Sequence, residues 1–122
     1  MTGDFKDLLA YQKAFQLAMD VFELSKTFPG HEKYSLTDQI RRSSRAVCAN
    51  IAEAYHKRRY SAHFVSKLTD LDAENSETQV WLGFALACRC NDQLTFDRLN
   101  NRSQEIGWLL AYMINKPEKF SV

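Results

Sequence analysis

Apolar residues recur along this chain every three or four positions, in four blocks separated by short polar or proline-containing breaks. That period is helical, so the pattern predicts four amphipathic helices. The first covers about residues 5–27 and stops before Pro29-Gly30, with Asp4 placed to cap it. It carries two apolar stripes, one of Leu8, Tyr11, Phe15, Ala18 and Phe22, the other of Ala10, Ala14, Leu17, Val21 and Leu24. A helix with two apolar faces touches more than one neighbour. The second covers about residues 36–58, with Ser35 and Asp38 at capping-box spacing. Leu36, Ile40, Ser43, Val47, Ile51 and Ala54 share its core face, while Asp38, Arg42, Arg45, Ala49 and His56 lie opposite.

The third block, about residues 61–88, has a core stripe of Phe64, Leu68, Leu71, Asn75, Leu82 and Leu86. On a different side stand Asp70, Glu74, Glu77 and Trp81. Asn91-Asp92-Gln93 is a turn signal with Asp92 as a cap, and the last helix runs from there to about Asn115, before Pro117. Leu99, Ile106, Leu110 and Met113 face inward, and Trp108 and Tyr112 face nearly the other way. Four helices joined by short connections predict an all-α fold, an antiparallel up-and-down four-helix bundle. The 122 residues form a single domain, 1–122, and bury enough surface for one core. The low count of Gly (4) and Pro (2) agrees with a few long helices.

Other totals narrow the setting. No apolar run approaches the ~18 residues of a membrane span, so no membrane partner is expected. The start, MTGDFKDLL, has no charged region followed by an apolar one, so no secretion signal is expected. Three cysteines, Cys48, Cys88 and Cys90, suit free thiols in a reducing cytoplasm.

Charge is uneven although the net value is only +1. Residues 39–59 hold Arg41, Arg42, Arg45, Lys57, Arg58 and Arg59 against one acid, Glu53. The outward arginines and the acidic stripe of the third helix are complementary, and arginine's planar fork suits paired carboxylates. They are therefore expected to meet across an interface between copies of the chain. That interface would hold Arg41, Arg45, Asp70, Glu74 and Glu77, with Trp81, Trp108 and Tyr112 as apolar anchors. Lys57, Arg58 and Arg59 have no such complement. They favour the negative end of the helix dipole as a solvated helix end, and they also suit phosphate, as do Arg41, Arg42 and Arg45.

Motifs for chemistry are sparse. Glu53-Ala54-Tyr55-His56 is a Glu-x-x-His, but di-iron carboxylate bundles need two such pairs pointing into the core. Here there is one, opposite the Val47/Ile51 stripe, and it reads as a surface pair. Cys88-x-Cys90 lacks the spacing and further ligands of a zinc site. His31 and His63 have no evident partners, Ser43-Ser44 has no nucleophile-elbow setting, and no glycine-rich phosphate loop exists. No catalytic residue, metal site or cofactor is expected. Asn50 and Asn75 lie on or beside core faces, where an unpaired amide costs about 1–3 kcal/mol, so both are expected to bond across helices.

The stretch FPGHEKYSLTDQIRRSSRAVCANIAEA resembles a family of bacterial four-helix-bundle proteins named for intervening sequences of 23S ribosomal RNA genes. Its pattern F-P-x-x-E-x-Y-x-L-x-x-Q-[IM]-R-R, then N-I-A-E-G, falls on Phe28, Pro29, Glu32, Tyr34, Leu36, Gln39, Ile40, Arg41 and Arg42, then on Asn50, Ile51, Ala52 and Glu53. FKDLLAYQKA, AENSETQVWLGFA and EIGWLLAYMINKPEKF extend the likeness over nearly the whole chain. Ala54 stands where the family often has Gly, and Cys48 where it often has Pro. The resemblance implies an antiparallel bundle in a homopentameric ring. It extends to accessory proteins of diversity-generating retroelements, basic pentameric barrels that bind reverse transcriptase and nucleic acid. It carries over no catalytic residue, and the family name reflects gene location rather than a ribosomal role. It adds Glu53 to Asn50 and Asn75 as structural polar positions.

The expected function is a non-enzymatic oligomeric adaptor contacting RNA or a nucleic-acid enzyme. A purely structural or protein-binding module is the alternative, and a metal-dependent carboxylate-bundle enzyme using Glu53 and His56 is a third reading.

Overall fold

A computed structural model describes residues 3–121. Four helices form the body: α1 (Leu9–Ser25), α2 (Asp38–His56), α3 (Ser61–Ala87) and α4 (Gln93–Asn115). Each packs on the next, and α1 closes against α4. The pairs run in opposite directions. Ser43 meets Thr78 and Glu53 meets Lys67 across α2 and α3, while Lys13 meets Glu105 and Asp20 meets Arg102 across α1 and α4. The protein is therefore an all-α four-helix bundle, the class the apolar periodicity implied.

The interior is built from the predicted stripes. Val21, Ile40, Ile51, Phe64, Leu68, Leu71, Leu82, Leu99, Ile106 and Leu110 are wholly buried. Each such side chain contributes roughly 1.5–3 kcal/mol by leaving water. Of the two α1 stripes, the one through Ala10, Ala14, Leu17 and Val21 enters the core. The other is split: Leu8 and Ala18 are buried, but Phe15 is 51% exposed.

Two starts differ from expectation. Asp4 caps a separate 3-10 turn, Phe5–Asp7, by accepting from the Lys6 amide, and extended Leu8 then interrupts the helix before α1. Ser35 is not a helix cap. Helical turns begin earlier, directly after Pro29, as a 3-10 turn at Gly30–Glu32 and a π-helical turn at Lys33–Thr37. Ser35 lies inside that π turn and donates to Glu32 at 2.6 Å. At the start of α4, Asp92 caps as expected by accepting from the Thr95 amide at 2.8 Å. The Thr95 hydrogen bonds hold the Asp92 carboxyl below its ordinary pKa.

A polar seam runs through the core. Ser43 and Thr78 share a buried hydrogen bond of 2.8 Å between α2 and α3. Asn75 donates to the Ser103 carbonyl and accepts from the Ser103 hydroxyl, both at 2.9 Å, and Gln79 donates to that hydroxyl at 3.0 Å. The amide of Asn75 is thus satisfied from α4, as buried amides must be. Asn50 does not follow: it is only half-buried and has no hydrogen-bond partner among the described residues.

Candidate functional site

Three surfaces stand out once the bundle is assembled. The first is the contact of α2 with α3. Arg42 reaches Glu77 at 2.7 Å and Glu74 at 3.4 Å within the same chain. Glu77 also accepts from the Trp81 indole at 3.2 Å. Desolvation raises the pKa of Glu77, but the hydrogen bonds from Arg42 and Trp81 and the charge of Arg42 outweigh it and leave the carboxyl below its ordinary value. Of the expected matches of arginine and acid, that of Arg42 therefore occurs inside one protomer, while Arg41 and Arg45 turn to the Phe22 ring. Trp81 is half-buried beside Phe84, with ring centroids 5.9 Å apart. Asp70 is exposed near Lys67.

The second surface is an apolar groove of about 420 Å³ between α1 and α2. Phe5, Tyr11, Phe15 and Met19 line one side, and Cys48, Ala49 and Ala52 the other. It forms because the second α1 stripe has no helix above it, and because alanines at 49 and 52 leave a trough on α2. Arg45 stands at its rim and shares the Phe22 ring with Arg41, at 5.5 and 4.8 Å. Arg41 also donates to the Ser25 hydroxyl at 2.6 Å. Burial pushes the Cys48 thiol up to about 11, so it acts as a small apolar wall. Separately, Trp108 is 72% exposed on α4, with Tyr112 exposed one turn on.

The third surface is the corner where α2 ends and α3 begins. Arg58 is tied down: it donates to the Tyr55 carbonyl at 2.8 Å and stacks over the Tyr55 ring at 3.9 Å. Lys57 and Lys67 lie 4.0 and 3.4 Å from Glu53. Arg59 has no partner among the described residues, and Tyr60 beside it is 61% exposed. The ring of Tyr60 tilts against His63 at 5.9 Å. His56 is exposed at the same corner, and Glu53 is held outward by its lysines. Among the described residues no three His, Cys, Asp or Glu side chains gather as a metal site. No described helix is long and apolar enough to cross a membrane.

The profile of the 23S rRNA-intervening sequence protein family matches residues 6–112. The chain belongs to that family. Among solved structures, this family member is similar to a protein of unknown function from the S23 ribosomal protein family of Bacteroides thetaiotaomicron. The two are 29% identical with a TM-score of 0.79, and the alignment covers 88% of this chain and 96% of the other. No curated protein matches significantly. The resemblance read from the Phe28–Arg42 and Asn50–Glu53 blocks thus holds along most of the chain.

Of the residues singled out in the sequence, the structure brings Arg42, Glu74, Glu77 and Trp81 into one cluster and places Lys57, Arg58 and Arg59 at one corner. Trp108 lies exposed on α4, outside that cluster, and Tyr112 one turn on meets the Phe120 ring edge-on at 6.1 Å. Sequence reasoning missed the trough formed by Met19, Cys48, Ala49 and Ala52, and also Tyr60. The unfilled second stripe of α1 was the signal for the trough. A large aromatic directly after Lys57-Arg58-Arg59 was the signal for Tyr60.

Proposed function

We propose that this family member is a non-enzymatic bundle that self-associates through its apolar surfaces and acts as an adaptor, presenting its basic corner to RNA or to an enzyme working on nucleic acid. The observation that carries the reading is the segregation of surface chemistry along α2. One flank is an open apolar trough and the far end is a cluster of cations with Arg59 unengaged. Two unlike apolar surfaces, the α1–α2 trough and the Trp108/Tyr112 face of α4, suit head-to-tail contacts between copies, which generate rings when the rotation closes. The family resemblance supports five subunits in that ring. Repeating the corner around it concentrates positive potential on one rim, which a net charge of +1 per chain does not supply. The three free thiols suit a cytoplasmic setting.

A second reading, a purely structural or protein-binding module, is favoured by the internal use of Arg42, Glu74 and Glu77, which withdraws those charges from outside partners. Native mass spectrometry of protein purified without nuclease separates the two. A ring carrying co-purified nucleic acid supports the adaptor. A ring without it, and without salt-sensitive binding to added RNA, supports the module. A monomer overturns both.

A further inference from the structure

We infer that the α2–α3 corner takes unpaired, single-stranded nucleic acid, with a base stacked on Tyr60 and a neighbouring phosphate on Arg59. This rests on the adaptor reading and names its ligand class. Phosphate alone needs only cations, and the corner has more than that. Tyr60 is the residue immediately before α3, the N-cap position, yet its side chain makes no cap hydrogen bond there. Ser, Thr, Asp or Asn at an N-cap stabilises a helix more than a residue unable to cap, so helix stability does not account for a tyrosine. Core packing does not account for it either, because the ring is 61% exposed. What the ring has is solvent exposure, a tilted contact with His63 at 5.9 Å, and the unengaged Arg59 side chain on the same hollow.

Tyr60 lines a hollow of about 310 Å³ with His56, Arg58 and Arg59, and a second of about 370 Å³ is lined by residues including His63, which the Tyr60 ring contacts, Lys57 and Lys67. Asp70 is the only acid among their lining residues, and Glu53 lies against Lys57 and Lys67, which leaves Arg59 as the corner's unpaired cation among the described residues. A strand with splayed bases can place a base on an aromatic face and its backbone along such cations, whereas a duplex keeps its base faces stacked. Fixed Arg58, held by the Tyr55 carbonyl and ring, keeps the corner in shape while Arg59 is free to engage.

The test is fluorescence anisotropy with three labelled probes: a single-stranded RNA 12-mer, its duplex, and an abasic strand of equal length. Intact protein should bind the single strand more tightly than the duplex. Tyr60→Ala should weaken binding of the single strand about 5- to 100-fold, the range expected for one stacked base, while affinity for duplex and abasic strand stays unchanged. Tyr60→Phe should restore the loss. Arg59→Ala should weaken all three probes and reduce the salt slope by about one. Salt-sensitive binding that is equal for duplex and strand, or indifferent to Tyr60→Ala, overturns the stacking site and leaves the adaptor reading standing. Absence of salt-sensitive binding to any probe overturns both. Because Tyr60 is exposed, unchanged thermal midpoints of the variants confirm that the fold is kept.

Discussion

On the flank of α2 that meets α3, polar groups are matched across the contact: Arg42 with Glu74 and Glu77, Ser43 with Thr78, Glu53 with Lys67. On the flank beside α1, Phe15, Met19, Cys48, Ala49 and Ala52 line an open trough, and the nearby arginines are spent on the Phe22 ring. One helix thus has a finished side and an unfinished side. Charge complementarity read along the chain points to the finished one, because opposite charges on neighbouring antiparallel helices meet within the protomer first. What remains exposed after that pairing is apolar on one flank and cationic at the helix end.

The sharpest way to break this contrast is to charge the trough. Phe15→Asp with Met19→Asp places two carboxylates where an apolar partner would sit. Loss of two anchors of about 2 kcal/mol each predicts an association weakened by roughly three orders of magnitude. Sedimentation velocity should show monomer at micromolar concentration, with the helical content of the chain unchanged because both side chains lie outside the core. An intact assembly would move the subunit interface away from the trough and leave the Trp108/Tyr112 face as the remaining apolar surface.

The matched side makes the opposite prediction. Asn75→Ala removes the amide that serves the Ser103 carbonyl and hydroxyl. It should lower stability in urea by about 1–3 kcal/mol or somewhat more, since a buried carbonyl loses its donor and a cavity opens. Subunit number should not change at concentrations where the variant is folded. A stability loss together with dissociation would mean that the seam and the interface are coupled.

These two experiments bracket what could be read in the chain alone. The helices, the core face of each and the cap at Asp92 follow from local rules, and α3 and α4 begin and end within about two residues of their expected limits. The early turns at Phe5–Asp7 and Gly30–Thr37 did not, because they depend on where proline and extended Leu8 reset the backbone. Asn75 was legible as a buried amide because it sits on an apolar stripe. Asn50 was not, since one position off the stripe decides between a buried, bonded amide and a half-buried one. The destination of Arg42 was also hidden: periodicity gives its direction from α2 but not the distance to α3. Tyr60 was overlooked for a different reason. Periodicity reports apolar residues that repeat, and an exposed aromatic at a corner is marked only by the three cations before it.

A smaller effect refines the finished side. Arg42→Ala breaks a pair that is about half exposed at the arginine. Water screens such pairs, so stability should fall by no more than about 1 kcal/mol, and subunit number should hold. A shift to monomer in this variant would instead place Arg42 at the interface and revive the cross-subunit pairing expected from sequence.

The smallest change is a titration within the folded chain, read through Trp81. Its indole donates to Glu77, whose folded pKa lies below the ordinary carboxylate value of 4.5. A depressed folded value means that Glu77 contributes stability above its unfolded pKa, and that this is lost as pH falls through the folded one. Trp81 emission should therefore shift with a midpoint below pH 4.5, against a steady background from exposed Trp108. Arg42→Ala should move that midpoint upward, because desolvation raises the carboxyl once its guanidinium is gone. Trp108→Phe should leave the transition in place and Trp81→Phe should abolish it. A midpoint at or above 4.5 in the intact chain would mean that Arg42 does not hold Glu77 in solution. The α2–α3 flank would then be as available to partners as the trough.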